Sequence, residues 1–156
     1  MFQSALVRDT LPSVLLDGLL LDRTAEVLIG GELIRVHGSP WSLPFRNWAF
    51  MASESDMHTR LEAVPHHVDV LMVHGPPWGI GDRTVDYMDA GSRSLLNTIE
   101  TKVPRLSLHG HIHEGSGQGR EITTGGRTTI VRNVSYLNQH YEPTNPPTYF
   151  ELPPIA

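Results

Sequence analysis

Leu106-Ser107-Leu108-His109-Gly110-His111-Ile112-His113-Glu114-Gly115 decides how this chain reads. An apolar run of strand character reaches a glycine and then presents two imidazoles two residues apart. A second apolar run, Val68-Asp69-Val70-Leu71-Met72-Val73, ends the same way, at His74-Gly75-Pro76-Pro77. Neutral imidazole is the commonest metal-binding side chain. Histidines just past buried strands sit where ligands bind in open α/β sheets. The pattern points to half of a metal-centred hydrolytic site.

Between the two runs, Ala90 to Val103 reads as a helix, with Leu95, Leu96 and Ile99 on one face and Pro104 as its end. Strand 68–73, helix 90–103 and strand 105–108 form a βαβ unit. Such crossovers are right-handed and make the two strands parallel. Parallel strands share a carboxyl edge, so His74, His111 and His113 are expected at one rim of an α/β sheet. In an extended His-x-His the two rings share a face. The flanking glycines let the backbone turn and approach an ion.

Outward from this unit the patterning is weaker. Val14 to Leu21 reads as a strand interrupted at Asp17-Gly18. Val27-Leu28-Ile29 and Leu33-Ile34-Arg35-Val36 flank Gly30-Gly31, which predicts a tight hairpin. Residues 37–53 form a loop whose Trp41, Phe45 and Trp48 suggest packing rather than flexibility. Ser53 to Val64 reads as a helix capped by Ser53 or Ser55. Residues 114–127 read as a glycine-rich loop. Thr128 to Val134 and Thr148 to Leu152 read as peripheral, antiparallel strands.

Composition narrows the class. The 156 residues suit one domain. An apolar fraction of 39% with 14 Gly and 12 Pro indicates a loop-rich globular protein. A net charge of −5 argues against a nucleic-acid polymer or anionic membrane as partner. Without cysteine, any metal must take nitrogen and oxygen ligands. Absent cysteine also fits a cytoplasmic location, and no apolar stretch approaches the roughly 20 residues of a membrane span.

Taken singly, each histidine has an ordinary structural reading: His74 as a strand-end residue, the His-x-His pair as coincidence. Both motifs on one βαβ unit favour metal ligation by His74, His111 and His113. His109, inside its strand, reads as packing or as support for the ligands. His37 either lines the same pocket or lies on the surface. His58, His66, His67 and His140 are assigned to solvent.

The same residues resemble a known family. His74-Gly75-Pro76-Pro77 and Gly110-His111-Ile112-His113-Glu114-Gly115 are similar to the last two signature blocks of the calcineurin-like metallophosphoesterases. The chain is more closely similar to the metallophosphoesterase domain-containing (MPPED-type) proteins. That likeness takes in the hairpin and Gly38-Ser39-Pro40-Trp41, then runs from Val68 to Leu152. It includes Leu95-Leu96-Asn97-Thr98, Asn133-Val134-Ser135 and Pro143-Thr144-Asn145-Pro146-Pro147. The resemblance implies the C-terminal half of a four-layer α/β/β/α sandwich: a mixed sheet with a hairpin and one βαβ unit, as one domain over residues 1–156. It implies metal-dependent hydrolysis of a small phosphoester, a phosphodiester or nucleotide, at two divalent ions (manganese, iron or zinc). Such a pair lowers the pKa of water and clamps an in-line displacement. His74 and His111 would serve one metal and His113 the other. His37, Gly75, His109, Gly110 and Glu114 would line or support the pocket.

The family's first three blocks, an Asp-x-His, a Gly-Asp and a Gly-Asn-His followed by an acid, have no counterpart here. They carry an Asp, a His, a bridging Asp and an Asn. Asp9, Asp17 and Asp22 lack the His or Asn context to replace them. Three neutral imidazoles supply no anionic bridge for two dications about 3.5–4 Å apart. Three readings account for this. The chain is a truncated piece of a longer enzyme, or a degenerate homologue acting as a metal-binding or interaction module. Alternatively, another chain or a missing N-terminal half completes the site. In each case apolar sheet edges and faces are exposed, inviting self-association. A one-metal hydrolase using His74, His111, His113 and water is a further chemical option. Glu114 would then be its base, unless it is a surface or supporting carboxylate.

Overall fold

The computed structural model describes residues 19–153. The described residues form one mixed six-stranded sheet in the order β1-β2-β3-β4-β6-β5. The strands are β1 (Arg23–Ile29), β2 (Glu32–Ser39), β3 (Val70–Val73), β4 (Leu106–His109), β5 (Gly119–Thr124) and β6 (Arg127–Asn133). Helix α1 spans Glu54–Leu61 and α2 spans Arg93–Lys102. Strands β2, β3, β4 and β6 run parallel; β1 and β5 are antiparallel edges.

Gly30 and Gly31, both at positive φ, close the β1–β2 hairpin with Ile29 opposite Glu32. Two left-handed turn residues match the twist of the strands they join. Ser53 caps α1 by accepting from the Asp56 N–H. Ser92 caps α2 through the Leu95 N–H, and left-handed Val103 ends it before Pro104. Leu95 and Ile99 are fully buried on the α2 face that meets the sheet. They pack with Met57, Leu61, Leu71, Val73 and Val131.

The opposite face is more thinly covered. Ile34, Val70 and Leu106 are buried there against Phe150 and Leu152 of the C-terminal segment. Met72, on the same face as Val70 by strand alternation, stays 45% exposed. Buried Arg105 anchors the tail. Its NH1 lies 2.8 Å from Glu32 Oε1 and 3.3 Å from Asp69 Oδ1, while its other donors reach the carbonyls of Leu152 and Pro153.

Several expectations change. Residues 119–124 are a strand, not loop; alternation there is polar because β5 is an edge, and the Gly125-Gly126 turn marks the hairpin. β6 is parallel to β4 inside the sheet rather than peripheral, while its antiparallel partner is β5. Thr148 to Leu152 is extended chain without a ladder, because it lies over a sheet face. Residues 19–22 are not strand, and 14–18 lie outside the described residues. Among the described residues no helix is long and apolar enough to cross a membrane.

Candidate metal centre

The βαβ unit delivers His74 and His111 to one rim, because parallel strands share a carboxyl edge. β3 and β4 pair in parallel, with Met72 opposite Leu108, and His74 leaves the end of β3. Gly110 N–H donates to the His74 carbonyl at 3.1 Å, tying the two strand ends together. The His74 and His111 rings meet edge to face, their centroids 4.8 Å apart.

The His-x-His is not extended. His111 has φ +64°, and the Ile112 N–H reaches back to the Gly110 carbonyl at 2.7 Å. That closes a three-residue turn, a strained geometry for a residue with a Cβ. His113 then begins a single 3-10 turn over His113–Gly115. The expectation of two rings on one strand face therefore fails: the chain has already left the sheet.

Asn133, buried at the end of β6, sets this turn. Its amide donates to the carbonyls of Gly81 and Ile112, and its oxygen accepts the Ser135 N–H. His113 Nδ1 lies 2.7 Å from the Asn138 carbonyl. A carbonyl only accepts, so Nδ1 carries the proton and Nε2 keeps its lone pair for a ligand. Asn138 sits in a turn held by bonds to His140, Tyr141 and Glu142. Tyr141 stands against the His113 ring at 5.3 Å. Nothing in the sequence marks Asn138; only the fold brings its carbonyl, 25 residues away, to the ring.

Burial and mutual repulsion keep the pair neutral. Desolvation, then the charges of His74 and His113, lower the His111 pKa to about 4, with Glu114 opposing. His74, open to solvent yet crowded by its neighbours, is lowered by desolvation and by His113. Glu114 accepts the Val85 N–H at 3.1 Å and so braces the 83–88 loop beside the site.

The supporting residues separate. A Cβ on Gly75 would lie 2.8 Å from the Ser42 Cα, so only glycine lets the 41–51 loop cross there. Gly110 faces the Ser135 hydroxyl. His109 is 2% exposed and packs beside Gly81. Burial lowers its pKa to about 4. The Ile80 backbone opposes that shift, but among the described residues no well-formed hydrogen bond reaches either ring nitrogen. His37 is neither at the surface nor at the rim. It is 2% exposed in mid-β2, its Nδ1 2.9 Å from Thr24 Oγ1. Desolvation lowers its pKa, with Asp22 opposing. His58, His66, His67 and His140 are exposed.

The aromatic loop is split. Trp41 is buried under Arg60, whose guanidinium lies 3.6 Å from the ring centre. Phe45 and Trp48 are instead exposed, and Phe45 stands edge-on to His111 at 6.3 Å.

Among the described residues, no group of three His, Asp or Glu side chains gathers tightly enough to hold one ion. Two neutral, accessible imidazoles with a third nearby fit part of the coordination of a single divalent ion. Imidazole suits zinc or iron. They do not by themselves fit a pair of ions, because among the described residues no carboxylate joins them in a ligand group. Asp22, the one candidate aspartate in the described region, is engaged by Ser39, Trp41 and Arg60.

The mixed six-stranded sheet with two helices has the α/β fold of part of a metallophosphoesterase sandwich. One solved structure superposes over 74% of this chain and 45% of its own length, with a TM-score of 0.52 at 23% identity. No protein-family model matches. The chain is 37% identical over 132 residues to the human and mouse proteins named metallophosphoesterase domain-containing protein 1. It is 36% identical over 122 residues to a UPF0046 protein of Caenorhabditis elegans, covering 77% of this chain and 30% of that one. It belongs to the metallophosphoesterase domain-containing family. The alignment takes in 83% of the chain but 38% of the length of the human and mouse relatives.

Proposed function

We propose that this chain supplies the imidazole side of a metal-dependent phosphoesterase centre, His74 and His111 holding one divalent ion and His113 standing beside it. The carrying observation is the His74–His111 pair, neutral and open at the carboxyl rim of β3 and β4. Hydrolysis of a small phosphodiester or nucleotide is the activity of the complete centre. Its carboxylates come from outside the described residues, in this chain or another. Such an ion would contribute Lewis acidity at the phosphoryl oxygens. The residues seen here orient the ligands: Asn138 fixes the His113 tautomer and Asn133 fixes the His111 turn.

Titration with zinc and assay of bis-p-nitrophenyl phosphate with manganese test this. Zinc uptake and turnover, both lost in His111→Ala, are expected. Turnover that survives in that variant excludes this site. A second reading, a non-catalytic metal-binding module, is favoured by the lack of a three-residue ligand group among the described residues. Zinc uptake without turnover selects it.

A further inference from the structure

The 41–51 loop spends exposed aromatic surface beside the imidazoles. Phe45 and Trp48 are 45% and 42% exposed. Their rings stand nearly perpendicular, 87° apart with centroids at 5.4 Å, and so form an open corner. One wall is edge-on to His111. Arg46, between them in sequence, puts its guanidinium 5.3 Å from the Phe45 ring centre. Among the described residues no carboxylate pairs with it.

The corner is held in place. Ser42 N–H bonds the Phe50 carbonyl, and Ala52 N–H bonds the Ser42 carbonyl. Met51 Sδ accepts the Phe45 N–H at 3.2 Å. The loop's base rests on Gly75, next to His74, with Gly75 N–H donating to the Trp41 carbonyl.

A planar π-system stacks on such rings with little demand on its substituents. A guanidinium answers phosphate charge. We infer that Phe45, Arg46 and Trp48 seat a planar aromatic group borne by the phosphoester, making this loop the specificity element of the site. The inference rests on the metal-centre reading above.

The test compares phenyl phosphate with methyl phosphate on the zinc-loaded full chain by titration calorimetry, with zinc uptake measured separately by chelator competition. Phenyl phosphate is expected to bind about tenfold more tightly. That preference should collapse toward unity in Trp48→Ala and in Phe45→Leu, the second of which keeps apolar packing. Equal affinities in the unaltered protein with normal zinc uptake overturn the corner alone, as does a preference retained in both variants. Failure to take up zinc overturns the metal-centre reading and this inference with it.

Discussion

At the residue scale, burial holds the His109 and His111 imidazoles neutral. A histidine whose folded pKa lies below its ordinary 6.5 binds a proton more readily when unfolded. The stability contributed by neutral His109 and His111 is therefore complete above about pH 6.5. It is lost as pH falls toward about 4, with a slope of up to about 1.4 kcal/mol per pH unit for buried His109 and less for half-exposed His111. Urea midpoints of the metal-free protein at pH 7.5 and 5 should show that loss; equal midpoints would refute it. His109 also carries two buried ring nitrogens that find no well-formed hydrogen bond among the described residues. Replacing it with an apolar side chain of similar volume removes that cost, so His109→Leu should raise stability by about 1 kcal/mol. Chemical denaturation measures it, and a lower midpoint would show that the ring has a partner.

At the scale of elements, the parallel strands β3 and β4 place the site, and the segments after them hold it. The C-terminal segment is fixed by one cation. Arg105 is buried, faces Asp69 and Glu32, and caps two tail carbonyls. Arg105→Met would leave buried Asp69 without its cation, held only by the Arg35 N–H, and release Phe150 and Leu152 from the second face. Breaking a buried pair on one side costs about 3 kcal/mol. Hydrogen exchange should show lost protection in β2 and β4 together, whereas loss confined to the tail would contradict the clamp. These elements were legible to different degrees. The hairpin at Gly30-Gly31, both helices and the βαβ unit follow from periodicity, caps and turn residues. β5 was hidden because an edge strand with both faces wet carries no apolar alternation. β6 is legible as a strand but its partners are not, since pairing direction is not written in a strand's own residues.

For the whole molecule, the sheet is covered by helices on one face and by a short tail on the other. Leu28 and Leu33, opposite each other near the hairpin tip, are 71% and 55% exposed. Exposed apolar residues on an edge strand favour pairing between chains. Leu28→Lys with Leu33→Lys should shift sedimentation toward monomer at high concentration while leaving the thermal midpoint within a few degrees. An unchanged distribution would refute pairing between chains through this hairpin.

The amino-acid order alone determined the α/β class, the crossover and the convergence of His74 and His111, because strand period, helix caps and crossover handedness are local or nearly universal rules. Tertiary structure decided the rest. It turned His111 into a left-handed bend, moved His113 off the sheet, buried His37 and His109, and brought Asn133, Asn138 and Phe45 to the rim. Those outcomes depend on contacts between segments tens of residues apart, whose energies no single stretch of sequence contains.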